Sequence, residues 1–291
     1  MTVLDANGQV RLGLPTGRMK KGVNTLLSDS GIHLKLSERG YRPQVNLAGY
    51  EVKVLKPQSI VEMLHLGSRD VGFAGADWVR ELEADLVELV DTKLDPVEVV
   101  AAAPEALLQE GKLPSQRLVV ASEYEAITRD WIERSGLDAT FVRSYGATEV
   151  FPPEDADCIV DNTATGSTLR ANNLAVVDVI AHSSTRLYAS PKAMRNPSKK
   201  KVIEHLVMLV QSVLAARERV MVEVNVDRQN LDGVIRALPC MREPTVSPLR
   251  GDTGFAVKAA VPRDRLPLVI PEIKAAGGTD VVVTDLSQIV P

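Results

Sequence analysis

Residues Val10 to Gly31 read VRLGLPTGRMKKGVNTLLSDSG, and this stretch decides the fold class. Val10-Arg11-Leu12-Gly13-Leu14 is a short apolar run suited to a strand. Pro15-Thr16-Gly17 turns the chain, and Met19, Val23, Leu26 and Leu27 then fall on one face of a helix. Gly31 is the residue type that ends a helix in the left-handed conformation. The βα alternation continues with strands expected at Ile32 to Leu36, Glu51 to Leu55 and Val71 to Ala74, and a helix opened by Pro57 lies between the last two. Such repetition predicts a mostly parallel α/β sheet that binds ligands at the carboxyl ends of its strands.

From Pro96 the pattern starts again. Strands are expected at Val97 to Ala102, Arg117 to Ala121, Thr140 to Val142 and Cys158 to Asp161, with a helix from Glu123 to Ser135 closed by Gly136. Val176 to Ala181 and Arg186 to Ala189 read as two further strands. Asn196-Pro197 gives an N-cap and an N1 proline, which open a long helix reaching about Arg219. Its Lys199, Lys200 and Lys201 suit a solvated helix face or a phosphate patch. The last 72 residues change character. Val220 to Val226, Leu231 to Leu238, Thr245 to Leu249, Phe255 to Ala260, Leu266 to Ala276 and Asp280 to Thr284 give the order βαββαβ, a ferredoxin-like split unit.

Composition narrows the function. The chain has 291 residues, 45% hydrophobic and 25% charged, the mix of an ordinary globular protein of about two domains. Its 34 Lys and Arg against 38 Asp and Glu leave a net charge of -4. No global basic field for nucleic acid exists, so a polyanion must be met by local donors. Cys158 and Cys240 have no Cys or His cluster around them, which excludes a structural zinc site, and Cys158 reads as core. Neither a signal peptide nor a membrane span is evident, and a cytoplasmic protein is expected.

The richest chemistry lies in Cys158-Ile159-Val160-Asp161-Asn162-Thr163-Ala164-Thr165-Gly166-Ser167-Thr168-Leu169. An apolar strand ends in a carboxylate, passes small and hydroxyl-bearing residues and enters a helix. Small side chains let backbone N–H groups approach a phosphate, while hydroxyls add donors. The bland alternative is a polar turn with a helix cap. Gly17 and Gly22 have P-loop spacing, but Val23-Asn24 follows where Lys and Ser or Thr are required. GxGxxG, GxSxG and HExxH are absent, and His33, His65, His182 and His205 are scattered.

The loop resembles a phosphoribosyl diphosphate motif. A type I phosphoribosyltransferase would place two adjacent carboxylates before it, whereas here Asn162 follows Asp161. The flanks point elsewhere. Gly13 to Arg18, Arg39 to Pro43, Leu55 to Ile60, Asp70 to Trp78 and Thr163 to Leu169 together resemble ATP phosphoribosyltransferase. Glu243 to Leu249 and Lys274 to Gly278 resemble the regulatory domain of its long form.

The resemblance implies an α/β fold of two periplasmic-binding-protein-like lobes. Residues 1–96 with 181–217 would form the first, 97–180 the second, and 218–291 a ferredoxin-like regulatory domain. It implies transfer of a phosphoribosyl group from phosphoribosyl diphosphate to N1 of the adenine of ATP, with Mg2+ held mainly by the substrate pyrophosphate. The 5-phosphate is expected on Thr163, Ala164, Thr165, Gly166, Ser167 and Thr168, and the ribose hydroxyls or metal-bound water on Asp161. Arg18 and Arg39 are candidates for the substrate phosphates, Glu149 for an acidic cleft position, and Tyr41, Asp70 and Asp77 for substrate contacts, Asp77 having a helix cap as its alternative role. Thr16 stands where the family has Lys, so Lys20 or Lys21 would have to compensate. Histidine is the expected inhibitor, bound at Asn225, Thr245 and Asp280 in a homo-oligomer from dimer to hexamer. The rival readings are a two-lobed solute-binding protein and a type I enzyme acting on a free base.

Overall fold

The computed structural model describes residues 8–35 and 40–290. These fall into two compact units, one drawn from 8–25, 32–35 and 40–204, the other from 26–31 and 205–290. The elements follow in chain order as β1 (Val10–Pro15), α1 (Met19–Asp29), β2 (Leu34–Lys35), β3 (Gln44–Val45), β4 (Tyr50–Leu55), α2 (Pro57–His65), β5 (Val71–Gly75) and α3 (Ala76–Glu81). Then come β6 (Val87–Pro104), β7 (Leu118–Ser122), α4 (Glu125–Ser135), β8 (Ala139–Arg143), β9 (Cys158–Thr163), α5 (Ser167–Ala171), β10 (Leu174–Ala189), α6 (Pro191–Met194) and α7 (Pro197–Arg217). The tail holds β11 (Arg219–Val226), α8 (Leu231–Ala237), β12 (Thr245–Pro248), β13 (Phe255–Pro262), α9 (Leu266–Ala275) and β14 (Thr279–Asp285).

In the first unit a single eight-stranded sheet runs β4-β1-β5-β10-β6-β9-β7-β8. β1, β4 and β5 are mutually parallel, as are β7, β8 and β9, while β10 lies antiparallel to both β5 and β6. The two groups of parallel strands therefore lie at the two ends of one sheet, with β10 and β6 between them.

This corrects two expectations. β6 is one strand of 18 residues where the sequence suggested a fresh start at Pro96, and β10 is one strand of 16 where two were expected. The reason is visible at the bulge. Leu94 pairs with Thr185 and Val97 with Ser183, so Asp95 and Pro96 stand opposite Ser184 alone. Proline has no ladder hydrogen bond to lose at a bulge. Lys93 and Asp95 also adopt φ of 56° and 47° there. The strand expected from Ile32 shrinks to Leu34–Lys35, and Leu36 lies outside the described residues.

Burial follows the apolar pattern. Ile60, Val61 and Leu64 of α2 are fully buried, each contributing about 1.5 to 3 kcal/mol of hydrophobic stabilisation. Around β6, β7 and β9 the core gathers Val99, Ala101, Val120, Tyr124, Ile127, Trp131, Cys158 and Val160. Burial pushes the Cys158 thiol up to about 12, as suits a core residue. Gly136 ends α4 with φ of 63°, and Asn196 caps α7 by accepting from the backbone N–H groups of Ser198 and Lys199 at 3.0 and 3.1 Å.

In the second unit the strand order is β12-β13-β11-β14, all antiparallel. With α8 and α9 inserted this is the ferredoxin-like arrangement. Val220, Val222, Val224 and Val226 alternate inward along β11 onto Val234, Val269 and Ile273 of the helices. The odd-numbered residues of β11 lie on the opposite face.

Candidate active site

A cavity of about 320 Å3 opens where β9 ends, lined by Arg18, Glu149, Asp161, Asn162, Thr163, Ala164, Thr165, Ser167, Thr168 and Leu169. It lies at the carboxyl end of a parallel strand, where open α/β sheets bind ligands. β9 buries Cys158, Ile159 and Val160 and then emerges, so Asp161 is the first side chain of the strand to face the cavity. Thr163 Oγ1 accepts the Gly166 N–H at 2.9 Å, which folds the loop back on itself. Gly166 has φ of 70°, and a Cβ there would meet Arg170 Nη1 at 2.8 Å. The positive φ is what favours glycine at that turn, since the flexible Arg170 side chain can swing aside. Thr165, Ser167 and Thr168 remain exposed around it.

The helix that follows, α5, has only five residues. The donors at this loop are therefore its hydroxyls and local N–H groups more than a macrodipole. Arg170, one turn into α5, was not anticipated from the sequence. Its spacing of four from Gly166 is the signal that could have found it.

At the other side of the cavity the groups are acidic. Burial pushes the Asp161 carboxyl up to about 6, against the Asn162 N–H bond at 2.7 Å, and the charges of Glu149 and Glu123 raise it too; Asn162 Nδ2 lies 3.4 Å from the same oxygen. Glu149 stands on a short 3-10 turn whose Thr148 is buried and bonded to Ser144 at 2.7 Å. Hydroxyl and amide donors on one side and carboxylates on the other suit a ligand with a phosphate at one end and hydroxyls or a hydrated cation at the other. Among the described residues no group of three or more His, Cys, Asp or Glu could by itself hold a metal ion.

Several expected site residues lie elsewhere. Asp70 is 2% exposed, and its carboxylate accepts from the Arg11 backbone and guanidinium and from Lys199 Nζ at 2.8 to 2.9 Å. Burial alone would raise this carboxyl, but those bonds hold it below the usual carboxylate range. Asp70 thus belongs to an ion cluster and is not among the residues that line the cavity. Lys199, read as part of a solvated face or a phosphate patch, is the partner that Asp70 requires.

Asp77 is neither cap nor cavity residue. Gly75 occupies the N-cap of α3, and the buried Asp77 accepts from Ser183 Oγ and the Tyr124 hydroxyl, each at 2.7 Å. Tyr41 is exposed and absent from the cavity lining. Lys20 and Lys21 are exposed on α1 but do not line the cavity either, so neither replaces the missing cation at Thr16 there. Arg39 lies outside the described residues.

In the second unit Asn225 Nδ2 donates to Asp280 Oδ2 at 3.1 Å, and Thr279 Oγ1 donates to the Asn225 carbonyl at 3.3 Å. Asp280 is held at φ of 47°. Thr245 pairs with Lys258, which faces Glu223, whereas Asn225 pairs with Ala256 and through it with Ser247. The structure therefore brings Asn225 and Asp280 together and sets Thr245 two residues along the sheet. Thr245 lines a separate cavity of about 410 Å3 with Met221, Cys240 and Lys258 among others.

Comparison with known proteins follows the same division. A family model described as ATP phosphoribosyltransferase matches residues 56–212, and one described as HisG, C-terminal domain, matches residues 216–288. The ATP phosphoribosyltransferase of Chlorobaculum parvum is 32% identical over 291 residues, covering 98% of this chain and 99% of its own. That of Pelotomaculum thermopropionicum is 34% identical over 290 residues, covering 97% and 100%. Among solved structures, an ATP phosphoribosyl transferase (HisG:HisZ) complex from Thermotoga maritima superposes with a TM-score of 0.63 at 25% identity, over 71% of this chain and 99% of that one.

Proposed function

The chain belongs to the ATP phosphoribosyltransferase family, whose reaction opens histidine biosynthesis, and we propose that the β9 cavity divides that chemistry between its two sides. The supporting observation is the convergence of Arg18, Glu149, Asp161 and the Thr163 to Thr168 loop on one cavity. The loop takes the 5-phosphate of phosphoribosyl diphosphate on the hydroxyls of Thr165, Ser167 and Thr168 and the N–H groups around Gly166. Asp161 takes the ribose hydroxyls, and Arg18 meets the phosphate charge of the second substrate or of the departing pyrophosphate.

Adenine N1 attacks C1 of the ribose through its own lone pair as the bond to pyrophosphate breaks. No strong base is needed, which fits a cavity without a nucleophile or histidine. Alignment of the two substrates can supply roughly 7 to 11 kcal/mol of the barrier lowering.

A magnesium ion fits this residue set only as a passenger of the substrate. Mg2+ takes oxygen ligands, retains water and uses one or two carboxylates beside substrate phosphates. Asp161, with Glu149 near it, is the carboxylate that would hold such an ion or its water. When bound, the ion supplies charge neutralisation at the leaving pyrophosphate.

For the second unit we propose histidine feedback at the Asn225 and Asp280 pair. An amide at 225 gives an amino group only a neutral acceptor, but the Asp280 carboxylate 3.1 Å away restores the charge-assisted one. Assembly from dimer to hexamer and a cytoplasmic setting belong to the same reading. No helix among the described residues is long and apolar enough to cross a membrane.

The direct test is incubation with ATP, phosphoribosyl diphosphate and Mg2+. Formation of N1-(5-phosphoribosyl)-ATP and pyrophosphate is expected. Binding of both substrates without product would favour a non-catalytic two-lobed protein, and transfer to a free base would favour type I chemistry.

A further inference from the structure

Asn162 is the residue that departs from a paired-acid motif, and its surroundings give a reason. Its Nδ2 donates to the Tyr124 hydroxyl oxygen at 2.9 Å, and the Tyr124 hydroxyl donates to Asp77 Oδ2 at 2.7 Å. Ser183 Oγ donates to the other Asp77 oxygen at 2.7 Å. Tyr124 is fully buried, and its ring packs on Trp78 with centroids 4.8 Å apart. A phenol has one proton to give. Here Asp77 receives it, so position 162 must supply a donor. A carboxylate at 162 would face an oxygen with no proton left, at a site where an unmade hydrogen bond is costly. The direction of the chain thus specifies an amide. The same Nδ2 lies 3.4 Å from Asp161 Oδ1, beside the backbone N–H bond at 2.7 Å, which ties the relay to the carboxylate in the cavity.

We propose that Asn162 and Tyr124 are positioning residues for the transfer reaction, anchored on Asp77, and that this polarised relay fixes where Asp161 stands against the ribose. The proposal rests on Asp161 as the ribose contact. α4 is held to α3 independently, because Glu81 accepts from the backbone N–H groups of Ala126 and Ile127 at 3.2 and 3.1 Å. Loss of the relay is therefore not loss of the helix.

The test uses the full chain, with phosphoribosyl diphosphate and inorganic phosphate as calorimetric probes beside steady-state kinetics. Asn162→Asp should weaken phosphoribosyl diphosphate about tenfold, the scale of one hydrogen bond in this setting. Inorganic phosphate, which needs only the loop, should be unchanged, and so should the KM for ATP. Tyr124→Phe keeps the ring and should show the same pattern. Asp77→Asn combined with Asn162→Asp reverses the donors on either side of the Tyr124 hydroxyl but not the Nδ2 contact to Asp161 Oδ1, and should bind phosphoribosyl diphosphate more tightly than Asn162→Asp alone.

A fall in melting temperature with unaltered donor affinity would overturn the proposal, as would a double variant no better than Asn162→Asp. Asp161→Asn separates the two layers. If it binds the donor normally, the ribose assignment fails and the proposal with it. If it binds poorly while Asn162→Asp binds normally, the relay alone is refuted.

Discussion

Replacing Asp161 by Asn should make the ligand-free protein more stable while removing its function. The carboxyl is raised from 3.8 to about 6, first by burial and then by Glu149 and Glu123. Above pH 6 the native state must hold a charge that the unfolded chain accommodates more readily. Two pKa units at about 1.36 kcal/mol each come to about 3 kcal/mol of native-state penalty. The sign follows from proton counting. Between roughly pH 4 and 6 the native state binds more protons than the unfolded state, so the stability due to this group falls as pH rises through that window. An amide carries no such penalty. Denaturant melts of the metal-free chain should show the variant more stable by about 2 to 3 kcal/mol at pH 7.5, with the gain fading to nothing near pH 4. Phosphoribosyl diphosphate binding should fall in parallel, as expected where an active site stores unfavourable charge. A stability gain over the parent that is the same at both pH values, or a variant less stable than the parent at pH 7.5, would refute the reasoning.

Other consequences are as concrete. Gly166→Val places a branched side chain at φ of 70° and against Arg170, at a conformational cost of roughly 1 to 2 kcal/mol, and should abolish donor binding by calorimetry while the fold survives. Arg11→Met leaves the buried Asp70 with Lys199 as its remaining cation and should destabilise the chain by about 1 to 3 kcal/mol in denaturant melts. Asp280→Asn should weaken histidine binding more than Asn225→Ala does, because the charged acceptor is at 280. Isothermal titration at millimolar histidine would show it.

Much of the fold was legible because its signals are local. The strand and helix of residues 10 to 31, the Gly136 and Asn196 helix ends and the βαββαβ order of the tail all follow from residue type and period. The continuity of β6 and β10 was not legible, since a proline usually stops a strand and the bulge that tolerates Pro96 depends on a partner some 90 residues away. The cavity loop was readable as a contiguous run. Asp70 and Asp77 were harder to read: acids beside a glycine-rich turn look ligand-facing, and the bonds they make come from Arg11, Lys199, Tyr124 and Ser183 in distant parts of the chain. Asn225 and Asp280 were both expected at the histidine site, but the hydrogen bond that joins them across 55 residues of chain was not readable.

The most direct test of the site is a crystal structure of the chain soaked with phosphoribosyl diphosphate. The 5-phosphate is expected within hydrogen-bond distance of Thr165, Ser167 and Thr168, with the ribose hydroxyls on Asp161. A donor seated elsewhere, with the Thr163 to Thr168 loop free of phosphate, would contradict the assignment.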